Sequence, residues 1–195
     1  MIRPFVQGDS TRLARSGLGF LAVLTTAHIA MAGFVTALLY QIGILFAGHI
    51  DDRSAVAVCV VAALVAAGFD VRALRIGSYA PGLRRQTSKE LGQRDSLPRW
   101  VAPMIWGLDT GLMWSTFRVS STTWVLLAAA LLNVAPQWSG LVFGTAFAGP
   151  LTVAVVAGRS DLSTLSRPGP RRLAQSAAIA TALLPAIITG AMIVV

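Results

Sequence analysis

Long apolar runs separated by short connections constrain the fold of this chain more than any other feature. A helix needs about 20 mainly apolar residues to span a bilayer. Only 12% of the residues are charged, against about 25% in ordinary soluble domains, and the mean hydropathy is +0.69. The sequence therefore predicts an all-α polytopic membrane helical bundle with about six transmembrane segments, forming a single transmembrane domain over residues 1–195. The apolar runs are Leu18–His49, Ser54–Phe69, Trp100–Phe117, Thr122–Val134, Gly140–Gly158 and Leu173–Val195.

The charges lie mostly in the connections and are mainly positive, with 16 Lys plus Arg against 8 Asp plus Glu. Seven cations lie between Asp70 and Arg99, so residues 70–99 are predicted to form a cytoplasmic basic loop, as the positive-inside rule expects. Arg3, Arg12 and Arg15 place the N-terminus on the same side. The net charge of +8 is then explained by topology, and no nucleic-acid partner is predicted. The expected location is a bacterial cytoplasmic (inner) membrane, with the lipid bilayer as partner.

Two runs leave the topology open. The run Leu18–His49 is either one long tilted helix or a helix with a re-entrant tail after Gln41. The run Thr122–Val134 is short for a full crossing. Six crossings would place the four arginines of residues 159–172 outside, whereas five crossings plus a re-entrant half-helix at Thr122–Val134 would return them to the cytoplasm and send the C-terminus out.

Asp109 is the first candidate for a functional side chain. It follows Trp100 by about 14 Å at the helical rise, near the middle of the predicted span. A carboxylate at that depth is costly unless it is paired, protonated or hydrated, which makes intramembrane acids functional candidates. The alternative is an Asp bonded to the backbone of a neighbouring helix or to an arginine, and the two interpretations have equal weight.

His28 is the second candidate, because Thr25, His28, Ala32 and Thr36 recur at helical spacing in an otherwise apolar helix. A His–Asp pair could transfer protons, although a lone histidine with satisfied hydrogen bonds is the more frequent arrangement. The chain has no HxxxH or CxxC motif, so neither a metal site nor a cofactor is predicted.

Arg118 precedes a Ser/Thr-rich segment at the start of the short fourth run. The preferred interpretation is an interfacial arginine beside a helix N-cap. The alternative is an anion-binding mouth, in which Arg118 and the free N–H groups of that helix face a vestibule. A substrate or proton path would then include Asp109, His28, Thr25 and Arg118.

Small residues recur at every fourth position in three of the runs. Such stripes let helix backbones approach closely in membranes, so helix packing is the preferred interpretation and a dimer interface or a substrate path is the alternative. The stripes are Gly107, Gly111 and Ser115; Gly140, Gly144 and Ala148; and Ala182, Ala186 and Gly190.

The segment from Arg84-Arg85-Gln86 through the tryptophan-led helix resembles a group of uncharacterised actinobacterial membrane proteins. Two further segments, Gly111–Phe117 and Ala146–Leu151, are similar to parts of the cytochrome c biogenesis/DsbD transmembrane family. That resemblance implies six helices in two inverted halves. The family transfers reducing equivalents through two intramembrane cysteines, but Phe117 stands where one of them would lie. The chain has a single cysteine, Cys59, which excludes thiol–disulfide exchange within it.

Three functions are compatible with these sequence features. The first is a small permease or transport subunit, with or without coupling to protons and without thiol redox chemistry. The second is a non-catalytic structural or maturation subunit, associated with other membrane subunits or with a second copy. A membrane-embedded enzyme ranks last, because no nucleophile–base pair or metal-ligand set is visible.

Overall fold

The computed structural model describes residues 15–46, 49–77, 100–114 and 120–156 and the single positions 98, 176 and 179. Within these residues the chain is all-helical, as predicted, and contains no strand. The described part holds five helices, of which α1 and α2 are long and apolar enough to cross a membrane. The predicted sixth segment, Leu173–Val195, lies outside the described residues except at 176 and 179. The helices are α1 (Arg15–Ile44), α2 (Asp52–Ile76), α3 (Val101–Gly111), α4 (Thr122–Leu131) and α5 (Ser139–Val156).

The first apolar run forms one continuous helix, α1, which passes Gln41 and ends at Ile44. Two short backbone hydrogen bonds then close the turn, from Leu45 N–H to the Ile42 carbonyl at 3.1 Å and from Phe46 N–H to the Gly43 carbonyl at 2.9 Å. The long-helix interpretation therefore describes this run, and no re-entrant tail begins at Gln41.

Helix α2 begins and ends at defined caps. Asp51 accepts hydrogen bonds from the N–H and the hydroxyl of Ser54, at 3.0 and 2.7 Å, which satisfies a free N–H of the first turn. At the other end Gly77 adopts the left-handed conformation, with φ 66°, that commonly terminates helices. The prediction of a loop from residue 70 was wrong at its start, because Asp70 to Ile76 belong to α2.

The pattern of buried and exposed residues explains why α2 continues past residue 70. Its buried residues are small, apart from Asp70, and their helical spacing continues beyond the apolar run: Ala55, Cys59, Ala63, Ala66, Ala67, Asp70 and Ala73. Its large apolar side chains are exposed instead: Val58, Val61, Leu64, Val65 and Phe69. A helix in a water-soluble fold turns its large apolar side chains toward the core, so α2 has the opposite arrangement.

Helix α1 is central and contacts α3, α4 and α5. The direction of α3 follows from its glycines: a Cβ on Gly107 would meet Leu24 and Ala27, whereas one on Gly111 would meet His28 and Met31. Helix α3 therefore runs in the same direction as α1, beside its first half.

Helix α5 runs in the opposite direction along α1. A Cβ on Gly140 would meet Ala32 and Thr36, and one on Gly144 would meet Ile29. Farther along α5, the Thr152 hydroxyl lies 2.9 Å from that of Thr25. Residue numbers thus rise on α5 as they fall on α1.

Helix α4 continues the direction of α3. Its residue Leu127 shares a buried cluster with Val35, and Leu131 lies against Gly43 farther along α1. Helices α3 and α4 therefore lie end to end beside α1, and we call the pair the interrupted helix α3–α4. The predicted helix over 100–117 was too long, because α3 ends at Gly111.

The interruption starts at Met113, which has a left-handed φ of 66° and no exposed surface. A left-handed conformation costs a non-glycine residue roughly 1–2 kcal/mol. Here it places the Met113 side chain in the buried cluster with Ala32, Val35 and Leu127, so burial of the side chain offsets the cost of the backbone.

Candidate functional site

His28 lies in the middle of α1 with 1% of its surface exposed. Its Nδ1 atom is 3.0 Å from the Thr110 hydroxyl on α3. That hydroxyl is placed to donate its single proton to the backbone carbonyls of Trp106 or Gly107, at 2.9 and 3.0 Å. The hydrogen-bond network therefore assigns Nδ1 as a protonated nitrogen that donates to the Thr110 hydroxyl.

The other side of the imidazole contacts α5. The ring of Phe147 stacks on His28 with centroids 5.1 Å apart and an interplanar angle of 23°. His28 is thus fixed by α3 through a hydrogen bond and by α5 through ring stacking, at the centre of the three-helix contact.

The remaining polar residues of the α1 stripe also join helices. Thr25 shares its hydroxyl hydrogen bond with Thr152 on α5. The Thr36 hydroxyl can donate to the carbonyls of Ala32 and Gly33, both at 3.1 Å, and accepts the N–H of Gly140 at 3.1 Å. The spacing predicted a polar face, and the structure places that face against α3 and α5.

Asp109 directly precedes Thr110 and has 7% of its surface exposed. Asp109 lies in the last turn of α3. Helix α3 contacts residues 24–31 of α1 through Gly107 and Gly111. Asp109 therefore lies at the same level along α1 as His28, but two residues from each of these glycines, which places it on the opposite face of α3 from the α1 contact. Both residues lie close to the point where the interrupted helix α3–α4 breaks.

A second buried carboxylate lies at the other side of the break, and sequence reasoning missed it. Asp70 on α2 has no exposed surface and accepts the Ser121 N–H at 2.8 and 2.9 Å and the Ser120 hydroxyl at 2.6 Å. These groups lie at the start of α4, where the free N–H groups and the helix dipole favour a negative charge. The helical spacing of small residues through Ala73 was the signal that could have placed Asp70 inside α2.

The predicted anion-binding mouth concerns the same end of α4. The Ser121 N–H binds Asp70, and the Thr122 N–H is 3.1 Å from the Ser120 hydroxyl. These two N–H groups already have partners within the chain. Arg118, the other component of that prediction, lies outside the described residues.

The glycine stripes face α1. A Cβ on Gly111 would lie 2.6 Å from the His28 carbonyl oxygen, and one on Gly144 would lie 3.0 Å from the Ile29 Cα. Gly107 and Gly140 approach the α1 backbone at least as closely, and Ala148 is buried with 3% exposed. Ser115 lies outside the described residues.

No group of three His, Cys, Asp or Glu side chains in the described part of the chain is arranged to hold a metal ion. No family model, curated protein or solved structure matches the chain. The site is therefore interpreted from its own geometry: two buried carboxylates and one buried histidine around the break in α3–α4.

Proposed function

We propose that the chain is a multi-pass protein of a bacterial cytoplasmic membrane, with its N-terminus in the cytoplasm. The outward-facing large apolar residues of α2 support membrane insertion, since only 28% of its most apolar window is buried within the chain. Lipid is the solvent that such a surface requires.

In the proposed topology α1 and α2 cross in opposite directions, the interrupted helix α3–α4 makes a single crossing, and α5 returns. With the apolar run 173–195 the chain crosses five times. The basic connections of residues 78–99 and 159–172 then lie on the same, cytoplasmic side as the N-terminal arginines. The break in α3–α4 takes the place of the re-entrant half-helix that was the sequence-based alternative to six crossings.

Within that membrane protein we propose the function of a small permease or transport subunit that is coupled to protons. The observation that carries this proposal is the interrupted helix α3–α4, with Asp109 and His28 beside the end of α3 and Asp70 at the start of α4. Broken helices with ionisable groups at the break form substrate and ion sites in secondary transporters.

The residues have different roles in this proposal. His28 and Asp109 provide the ionisable groups of the proton path, and Thr110 holds the His28 ring through Nδ1. Asp70 holds the start of α4 in place, so its role is to position the second half of the interrupted helix. Thr25 and Arg118 complete the proposed path as hydrogen-bonding and charged groups.

The test is proton flux in liposomes that contain the purified protein, a pH-sensitive dye and a potassium diffusion potential. We expect proton entry above that of empty liposomes, and a loss of about tenfold or more in Asp109→Asn and in His28→Gln. Asp51→Asn is the matched control, because it removes one carboxylate at an exposed helix cap and Asn also caps helices well. Full proton entry in Asp109→Asn would remove the basis of the proposal.

A structural subunit of a larger membrane complex is the second candidate, and the packing of the bundle favours it. His28 and Asp109 are buried, and four glycines bring α3 and α5 against the α1 backbone. Purification of the native protein from its membrane distinguishes the two. A scaffold leaves the membrane with fixed companions, and Asp109→Asn keeps them, whereas a permease is recovered without companions in fixed ratio.

A further inference from the structure

A separate cavity of about 510 Å³ lies at the end of the bundle where α1 connects to α2. Its walls come from the end of α1, the start of α2 and the end of α4, so it is distant from the His28 site. Most of the lining is apolar, including Ile42, Phe46, Val56 and Leu132. A volume of roughly 300–1,000 Å³ with mainly apolar walls is typical of small-molecule sites.

The polar side chains among the lining residues are those of Asp52 and Asn133. Both offer acceptor oxygens. The Asn133 side-chain nitrogen already donates to the Tyr40 carbonyl at 2.9 Å, which leaves the amide oxygen as the group for a ligand. Among the residues that the structure describes, no Lys, Arg or His lines this cavity, so the described side chains around it favour a ligand that carries positive charge.

Asp52 is also available for such a role. The N-terminal cap of α2 is made by Asp51, which accepts both hydrogen bonds of Ser54. Asp51 and Arg53 are adjacent in sequence but do not line the cavity. The carboxylate of Asp52 therefore contributes charge to the cavity without being needed for the helix cap.

We propose that this cavity binds a small amphipathic organic cation, with its apolar body between α1, α2 and α4 and its charge beside Asp52. Exposed apolar side chains at the cavity, Phe46, Ile50 and Val134, provide an apolar entrance for such a molecule. A phospholipid fits the polar lining less well, because its phosphate would face acceptor oxygens. The site goes beyond the transport proposal and does not depend on it.

The test uses tetraphenylphosphonium as the probe and the full-length protein in detergent micelles, with empty micelles subtracted. Equilibrium dialysis should give saturable binding that Asp52→Asn weakens about 5-fold, the scale of an exposed ion pair. Leu132→Trp, which fills the cavity without a change of charge, should abolish saturable binding. Tetraphenylborate, which has the same shape and the opposite charge, should not saturate.

Asp51→Asn is the matched control, since it removes the same charge one residue away and keeps a good N-cap. It should bind the probe as the wild type does, and circular dichroism should show equal helix content in all variants. Equal weakening by Asp51→Asn and Asp52→Asn would overturn the proposal, because binding would then follow net charge. Equal binding of tetraphenylborate would overturn it too, and would indicate a groove for lipid chains.

Discussion

The carboxylate of Asp70 accepts the backbone N–H of Ser121 through both of its oxygens, at 2.8 and 2.9 Å, across a sequence separation of 51 residues. The same carboxylate accepts the Ser120 hydroxyl. A fixed negative charge at a helix N-terminus satisfies free N–H groups and interacts favourably with the helix dipole. Asp70 therefore ties α2 to the start of α4 and defines where the second half of the interrupted helix begins.

Asp70→Ala should destabilise the protein by about 1.5–3 kcal/mol, because it leaves the buried Ser121 N–H without its charged acceptor. Asp70→Asn should cost less, since the amide keeps one acceptor oxygen. Thermal unfolding in detergent should rank the midpoints as wild type, then Asn, then Ala. The exposed Asp51→Asn serves as control for the loss of a carboxylate, and an Asp70→Ala midpoint equal to that of the control would contradict the assigned role.

Two glycine-to-alanine substitutions should change stability in opposite directions, one through a close helix contact and the other through helix propensity. A Cβ on Gly140 would collide with the Ala32 carbonyl and the Thr36 hydroxyl, so Gly140→Ala should cost about 1–3 kcal/mol of stability. Gly68 on α2 has open space where a Cβ would be, and Gly68→Ala should stabilise by about 0.5–1 kcal/mol. Unfolding midpoints that move in the same direction for both variants would disagree with the described packing.

The helical class was accessible from sequence, because in lipid a long apolar run satisfies its backbone groups by forming a helix. The sequence left the run Leu18–His49 open between one long helix and a helix with a re-entrant tail, and the structure has one helix that ends at Ile44. The role of Asp70 was not accessible. A carboxylate after an apolar run resembles the start of a loop, and its partner Ser121 is distant in sequence. The end of α3 was equally hidden, since Met113 adopts its left-handed φ through tertiary burial and carries no local turn signal.

The sequence predicted which side chains of the candidate site share a face of α1, but it did not predict which residues they contact. Helical spacing placed His28 and Thr36 on one polar stripe, and in the structure both are buried. Their partners on α3 and α5 depend on how three helices align in space, which periodicity within one helix does not specify. Asp109 was likewise selected by its predicted depth, and its position at the end of α3 depends on the break that follows.

The N-terminal cap of α2 should respond to acid. Hydrogen bonds from the Ser54 hydroxyl and N–H lower the pKa of Asp51 below its ordinary value of 3.8. The contribution of the ionised cap is therefore complete above that ordinary value and is lost as the pH falls through the lowered pKa. An NMR titration of the Asp51 carboxyl carbon should show a higher pKa in Ser54→Ala than in the wild type. An unchanged titration midpoint would show that Ser54 does not stabilise the carboxylate.

The last prediction concerns the tautomer of His28. Because the Thr110 hydroxyl is placed to donate to the α3 backbone, its oxygen accepts from Nδ1–H of His28, and of the two neutral tautomers the Nδ1-protonated one should dominate. Thr110→Val keeps the side-chain shape and removes that acceptor, which should lower stability by about 1–3 kcal/mol and raise the population of the Nε2-protonated form. Imidazole ¹⁵N chemical shifts measured at neutral pH distinguish the two tautomers. Thr110→Ser, which retains the hydroxyl, should keep the wild-type spectrum. A wild-type spectrum that shows mainly Nε2 protonation would reverse the assigned direction of the hydrogen bond between His28 and Thr110.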